Sequence, residues 1–138
     1  MTEIFADSFY YIALLNPSDQ FHQAALAATR KLRRPLVTTF WVLTEVGDAL
    51  SAPVMRSHTY RFLQKIMRDS NTFIVPYDLS WHLRGLTLYG NRTNKSWSLT
   101  DCISFGVMAE RGITDALTGD GHFVQAGFRA LLLTSSKV

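Results

Sequence analysis

The 138-residue chain has one cysteine, four prolines, eight glycines, and no stretch free of Asp, Glu, Lys and Arg longer than the eleven residues from Ser8 to Ser18. Each scarcity excludes something. Cys102 has no partner for an internal disulfide, which agrees with a reducing compartment. The low proline and glycine content excludes collagen-like and low-complexity chains. Eleven uncharged residues fall well short of the ~20 that cross a bilayer. The start, Met-Thr-Glu-Ile-Phe-Ala-Asp, brings acid where a secretory signal brings Lys or Arg and a long apolar run, so a cytoplasmic protein is expected. Walker, Rossmann and Gly-x-Ser-x-Gly patterns are missing. A haloacid-type phosphatase needs a second Asp two positions after its nucleophile, where Phe9 stands. His22, His58, His82 and His122 form no helix-face pair with Cys102, so zinc is disfavoured, and Cys102 reads as a structural thiol in a buried helix.

What remains is a folding sequence, 47% hydrophobic and 18% charged, read as a single domain over 1–138 that removes roughly two-thirds of its unfolded surface from water. Short apolar runs predict strands at Glu3 to Ala6, Leu36 to Thr38, Thr72 to Val75, Ala116 to Thr118 and Ala130 to Leu133. Helical patterns lie between them: Ser8 to Leu15, Ser18 or Asp19 to Leu32, Thr39 to Leu50, Arg56 to Asp69, Leu79 to Tyr89, and Leu99 to Arg111 ending at Gly112. A short helix to Gln125 follows Asp120. Strands alternating with helices predict an α/β fold with a largely parallel sheet, whose apolar strands are covered on both faces. Asn91 to Ser98 reads as loop.

In such sheets chemistry gathers beyond the carboxyl ends of the strands. Asp7 follows the first strand and Asp120 the fourth; taken alone, each also reads as a helix cap or turn residue. Glu45 shares its helix face with Trp41, Val42 and Ala49, company in which an ionised carboxylate needs a cation, a hydrogen-bond network or a cleft. Asp101 opens an apolar helix, and Ser98-Leu-Thr-Asp101 has the form of a capping box, so a cap and a site are both open to it. Asp48 reads as exposed and Asp115 as a strand-entry surface residue. Together the four acids converge on one sheet end, and clustered like charges persist mainly where a cation neutralises them. Oxygen ligation points to Mg²⁺ or Mn²⁺.

Fourteen bases against eleven acids give a formal +3; with the four clustered acids set aside, seven remain and the rest of the molecule carries +7. That suits a phosphodiester substrate. Arg30, Lys31, Arg33 and Arg34 crowd into five residues, and Arg56, Arg61, Lys65 and Arg68 share a helix face. Either a solvated surface or a phosphate-contacting one is consistent with both sets.

Phe5-Ala-Asp7-Ser8, Thr38-Thr-Phe-Trp-Val-Leu-Thr-Glu45, Trp97-Ser-Leu-Thr-Asp101-Cys102 and Leu117-Thr118-Gly-Asp120-Gly-His-Phe123 together resemble the PIN domain family, and within it the small VapC-type toxins. The resemblance implies a three-layer α/β/α fold with about five parallel strands in order 3-2-1-4-5. It places Asp7, Glu45, Asp101 and Asp120 on the family's acidic quartet, with Ser8, Thr100 and Thr118 supporting the metal shell. It implies a ribonuclease that uses one or two Mg²⁺ or Mn²⁺ ions on single-stranded or loop RNA, a small antitoxin partner and a homodimer. Arg30, Arg33, Arg34, Arg61 and Arg68 would then contact RNA, and Trp97 or Tyr89 would stack a base, unless Trp97 serves the core or a dimer interface. His122 stands where many relatives carry Asp or Asn, a departure at the second metal position, and reads as a phosphate contact or, more simply, a helix cap. The rival reading is a non-catalytic RNA-binding or protein-interaction module on the same fold; the negative pocket disfavours it, because a binder of polyanions gains nothing from one.

Overall fold

The computed structural model describes residues 2–133, so Met1 and 134–138 of the single-domain reading lie outside the described residues. Five strands, β1 (Ile4–Ala6), β2 (Leu36–Thr39), β3 (Thr72–Val75), β4 (Asp115–Leu117) and β5 (Arg129–Ala130), form one parallel sheet in the order β3-β2-β1-β4-β5. Seven helices connect them among the described residues: α1 (Ser8–Leu15), α2 (His22–Lys31), α3 (Phe40–Ala49), α4 (Pro53–Arg68), α5 (Leu79–Asn91), α6 (Leu99–Arg111) and α7 (Gly121–Gln125). None of them is long and apolar enough to cross a membrane.

The order of the strands dictates the layers. From β1 the chain steps to β2 and β3 in one direction, then returns past β1 to β4 and β5 in the other. Right-handed crossovers therefore put α1 to α4 on one sheet face and α5 to α7 on the opposite one. The packing follows: α1 lies against α2 and α3, α3 against α4, and α5 against α6, which touches α7. Central strands buried on both faces must be apolar, and Phe5, Ala6, Val37 and Ala116 are completely enclosed. The reversal opens a switch point between the carboxyl ends of β1 and β4, registered Ala6 opposite Leu117.

Local chemistry moves several expected boundaries. Ser18 to Phe21 form turns instead of helix, because the Asn16 and Asp19 side chains accept from the backbone N–H groups of Ser18 and Phe21 at 3.0 and 2.8 Å. α4 starts early, with Pro53 in its first turn, where the missing N–H costs nothing. β5 is two residues long, and Leu131 to Leu133 turn away. Gly112, at φ 67°, terminates α6 as its position after Arg111 requires.

Asp115 corrects the sequence reading. It is buried at the entrance of β4, clamped by Arg34 at 2.9 Å and Arg129 at 3.0 Å. Burial alone would push its carboxyl up, but the two guanidiniums hold it below the usual range. A carboxylate at a packed sheet edge persists only with such partners. Arg34 also donates to the carbonyls of Thr2 and Glu3, tying the starts of β1, β2 and β4 together.

The α5–α6 contact depends on Gly85, where an added Cβ would meet Ile103 Cγ1 at 2.3 Å and the Ile103 backbone at 3.1 Å. Gly85→Ala should lower stability by about 1–3 kcal/mol, the usual cost of forcing atoms into a packed interface, read as a lower urea midpoint. An unchanged midpoint would show that the two helices are spaced more widely.

Candidate active site

Asp7 leaves β1 at the switch point and is 3% exposed. It occupies the N-cap of α1 in backbone terms, yet its side chain makes no capping bond. Its Oδ2 instead accepts from Thr118 Oγ1 at 2.8 Å, across from the adjoining end of β4. The same Thr118 hydroxyl accepts from the Asp120 N–H at 3.1 Å, so one side chain joins two acid-bearing segments. Between them, Gly119 lies so close to α1 that a Cβ there would meet the Phe9 ring at 2.6 Å; only glycine lets the loop approach this near.

Glu45 projects from α3, half-buried, and accepts from Ser8 Oγ in a short hydrogen bond. Asp101 and Ser98 complete a reciprocal capping box, with the Asp101 N–H donating to Ser98 Oγ at 3.0 Å and the Ser98 N–H donating to Asp101 Oδ2 at 3.3 Å. Asp101 also reaches His122, whose Nδ1 lies 3.2 Å from its Oδ2. Asp120 caps α7 by accepting from the His122 N–H at 2.9 Å, and its Oδ1 is 3.5 Å from the same ring nitrogen. Cap and cluster are thus compatible at both acids.

The electrostatics show the cost of this convergence. Burial first, and then the charges of Asp101 and Glu45, push the Asp7 carboxyl up to about 7, although Thr118 and the Ser8 N–H oppose the rise. Burial also pushes up Glu45, which Ser8 opposes and the charges of Asp101, Asp120 and Asp48 reinforce. Asp101 is raised by burial and by Asp120, against the hydrogen bond from His122. Each of the four acids is therefore within electrostatic reach of at least two of the others. One donor atom each from Asp101, Asp120 and His122 lies within 4.8 Å of the other two, close enough to hold a single ion. Two carboxylates and one imidazole, flanked by acids that burial disfavours as bare anions, suit a divalent cation.

The sequence reading of His122, a phosphate contact or a helix cap, missed its place beside the acids, and the cap of α7 is Asp120. The available signal was its place two residues after Asp120: the short helix that Asp120 caps turns the imidazole back toward Asp101. Thr100 is half-buried, and no hydrogen bond ties it to the acids. Of the roles the sequence left open to Trp97, the structure shows the core one. It is 5% exposed, edge-on to Phe105, with its Nε1 donating to Gln125 Oε1 at 3.1 Å. Arg30, Arg33, Arg34 and Arg68 are placed where strands begin, on the edge opposite the acids. Any RNA contact these arginines make lies away from the acids, and the Arg34 guanidinium is held by Asp115. Arg61 lies on the exposed face of α4, donating to Ser57 Oγ at 2.8 Å.

The chain has the PIN-type fold. Its structure is similar to that of the sarcin–ricin loop cleaving toxin VapC20 from Mycobacterium tuberculosis, with a TM-score of 0.84 and 23% sequence identity over 91% of this chain and 95% of that one. It is also similar to FitAcB from Neisseria gonorrhoeae, with a TM-score of 0.63 and 13% identity over 92% and 94% of the two chains. No protein-family model and no curated protein matches the chain by sequence.

Raised carboxyls set a pH dependence. The metal-free fold holds protons that the unfolded chain releases near pH 3.8, so this stability is complete below that value and is lost as pH rises through about 7. Asp115, held low, acts in the opposite sense and at lower pH. Thermal melting in EDTA should therefore fall between about pH 5 and about pH 8, and Mn²⁺ should raise it more at the upper end, where the acids it neutralises are ionised. Melting in EDTA that is flat or rising over this interval would show that the acids are not held together.

Proposed function

We propose that the protein is a divalent-metal-dependent endoribonuclease acting on single-stranded or loop RNA, with Asp7, Glu45, Asp101 and Asp120 as its catalytic acids. The observation that carries this reading is their convergence, from four separate segments, on the β1–β4 switch point. Asp101 and Asp120, with His122 Nδ1, are the proposed ligands of one Mg²⁺ or Mn²⁺, and the imidazole tilts the preference toward Mn²⁺. Such an ion supplies a water of lowered pKa and offsets charge on the phosphate. The chain's own part is positioning. Thr118 orients Asp7, Ser8 orients Glu45, and Ser98 with the first turn of α6 orients Asp101, so the acids face the substrate in one arrangement. Asp7 and Glu45, which burial disfavours as anions, are the groups best placed to take up or release a proton, or to complete a second ion's shell.

The likeness to a toxin that cleaves the sarcin–ricin loop supports RNA as the substrate class. On the same ground we read the protein as the toxin of a toxin–antitoxin pair, acting in the cytoplasm and held in check by a small antitoxin. Leu79, Leu83 and Leu86 form an exposed apolar stripe on α5 that supports a homodimer.

Purified protein should cut unstructured RNA in Mn²⁺ or Mg²⁺ and leave it intact in EDTA. Asp101→Asn and Asp120→Asn should each slow cleavage by about 100-fold or more, the loss expected when several kcal/mol of charge stabilisation is removed. Cleavage indifferent to chelation and to both substitutions would remove the proposal. Saturable RNA binding without an ion or a product would replace it with a binding module.

A further inference from the structure

The end of α5 and the start of α6 border an open cleft of about 810 Å³ that contains none of the four acids, within the size range of small-molecule sites. Its wall includes Tyr89, Arg92, Lys95, Trp97 and Ser98, and no Asp or Glu. Two cations are prepositioned there. The Arg92 guanidinium carbon lies 4.8 Å from the centre of the Trp97 ring, and Lys95 Nζ lies 5.8 Å from it. Trp97 is a fixed pedestal, locked by Phe105 and by its bond to Gln125. Neither cation forms an ion pair among the described residues, whereas Arg34, Arg84, Arg111 and Arg129 all do. Tyr89 is 51% exposed, and no ring or cation is stacked on it among the described residues. Two unpaired cations held over an aromatic face, next to a second and bare aromatic face, form a recess for a group that is both anionic and planar.

The cleft is also joined to the acids. Ser98 lines it, and the same Ser98 makes both bonds of the capping box with Asp101. Gln125, which accepts from Trp97, lies one helical turn beyond His122. A ligand seated here is thus held in register with the acidic cluster by α6 and α7.

We propose that this cleft is a nucleotide subsite, which seats one unpaired RNA nucleotide next to the phosphate presented to the acids. Tyr89 stacks the base, and Arg92 and Lys95 contact backbone phosphates. The inference rests on the nuclease reading for the identity of the polyanion and adds the residues that hold it. These cations share their cleft with Ser98, the residue that bonds Asp101.

Binding without cleavage separates the two readings. Full-length protein in EDTA is titrated into a short fluorescein-labelled unstructured RNA, and anisotropy is followed at several salt concentrations. Arg92→Ala/Lys95→Ala should weaken binding about tenfold or more and flatten the slope of log affinity against log salt by about 1.4, at ~0.7 per lost single-strand phosphate contact. Tyr89→Ala should weaken it about tenfold with an unchanged slope. Arg92→Lys/Lys95→Arg should keep the slope, and Arg84→Ala, a loss of charge elsewhere on α5, should bind as the parent does. If the double alanine variant melts early, exposed Tyr89 decides the matter alone. The proposal is overturned if the double alanine and Tyr89→Ala variants bind within twofold of the parent, or if Arg84→Ala weakens binding as much as they do. It is also overturned, in favour of an acidic polypeptide, if polyglutamate binds more tightly than the RNA and is lost in the same variants. Variant-sensitive binding by a protein that never cuts RNA keeps the subsite and removes the nuclease; cutting by a protein whose variants bind normally does the reverse.

Discussion

Mutual repulsion among Asp7, Glu45, Asp101 and Asp120 is the constraint around which the rest of the molecule is arranged. Three of these carboxyls are pushed upward by burial and by one another. Like charges in a recess of low effective dielectric cost several kcal/mol, so the scaffold that gathers them must be stiff. The stiffness comes from an enclosed parallel sheet and from a donor on each of three acids: the Thr118 hydroxyl on Asp7, the Ser8 hydroxyl on Glu45 and the Ser98 N–H on Asp101. None of these supports is a cation. Cations at the β1–β4 switch point would neutralise the cluster permanently and leave no charge for an ion to answer.

The strongest ion pairs lie instead at the other edge of the sheet. Arg34, Asp115 and Arg129 join the strands where they begin, and Arg111 grips Glu3 at 2.8 Å. The division is physical: at the edge where the strands begin, Asp115 and Glu3 are each met by a guanidinium, while the edge that carries the acids offers them none among the described residues. In the α5–α6 loop Arg92 and Lys95 rest on a ring and not on a carboxylate.

Much of this was legible in the residues. Strands β1 and β3, helix α1, helix α6 and its glycine stop follow from apolar runs and termination chemistry, and the strand order follows from the resemblance to PIN domains. The acids were found because two follow strands and one sits among apolar helix neighbours. What was not legible depends on distance along the chain. Asp115 is separated from Arg34 by 81 positions, and nothing local reveals that the two meet. Trp97 stood open between stacking and the core because its segment lacks periodicity; its burial depends on Phe105 and Gln125. His122 read as a phosphate contact or a cap because nothing local shows that α7, capped by Asp120, turns the ring toward Asp101. The start of α2 failed for a simpler reason, since Asx turns compete locally with the helix.

The double service of the Thr118 hydroxyl has a mechanical meaning. Because a single oxygen donates to one acid and receives from the amide of another, the tips of two neighbouring strands are geared together like teeth on one wheel. Selection acting on this pocket cannot retune the reach of either tip alone; any drift in one is handed to the other, and the spacing evolves as a unit.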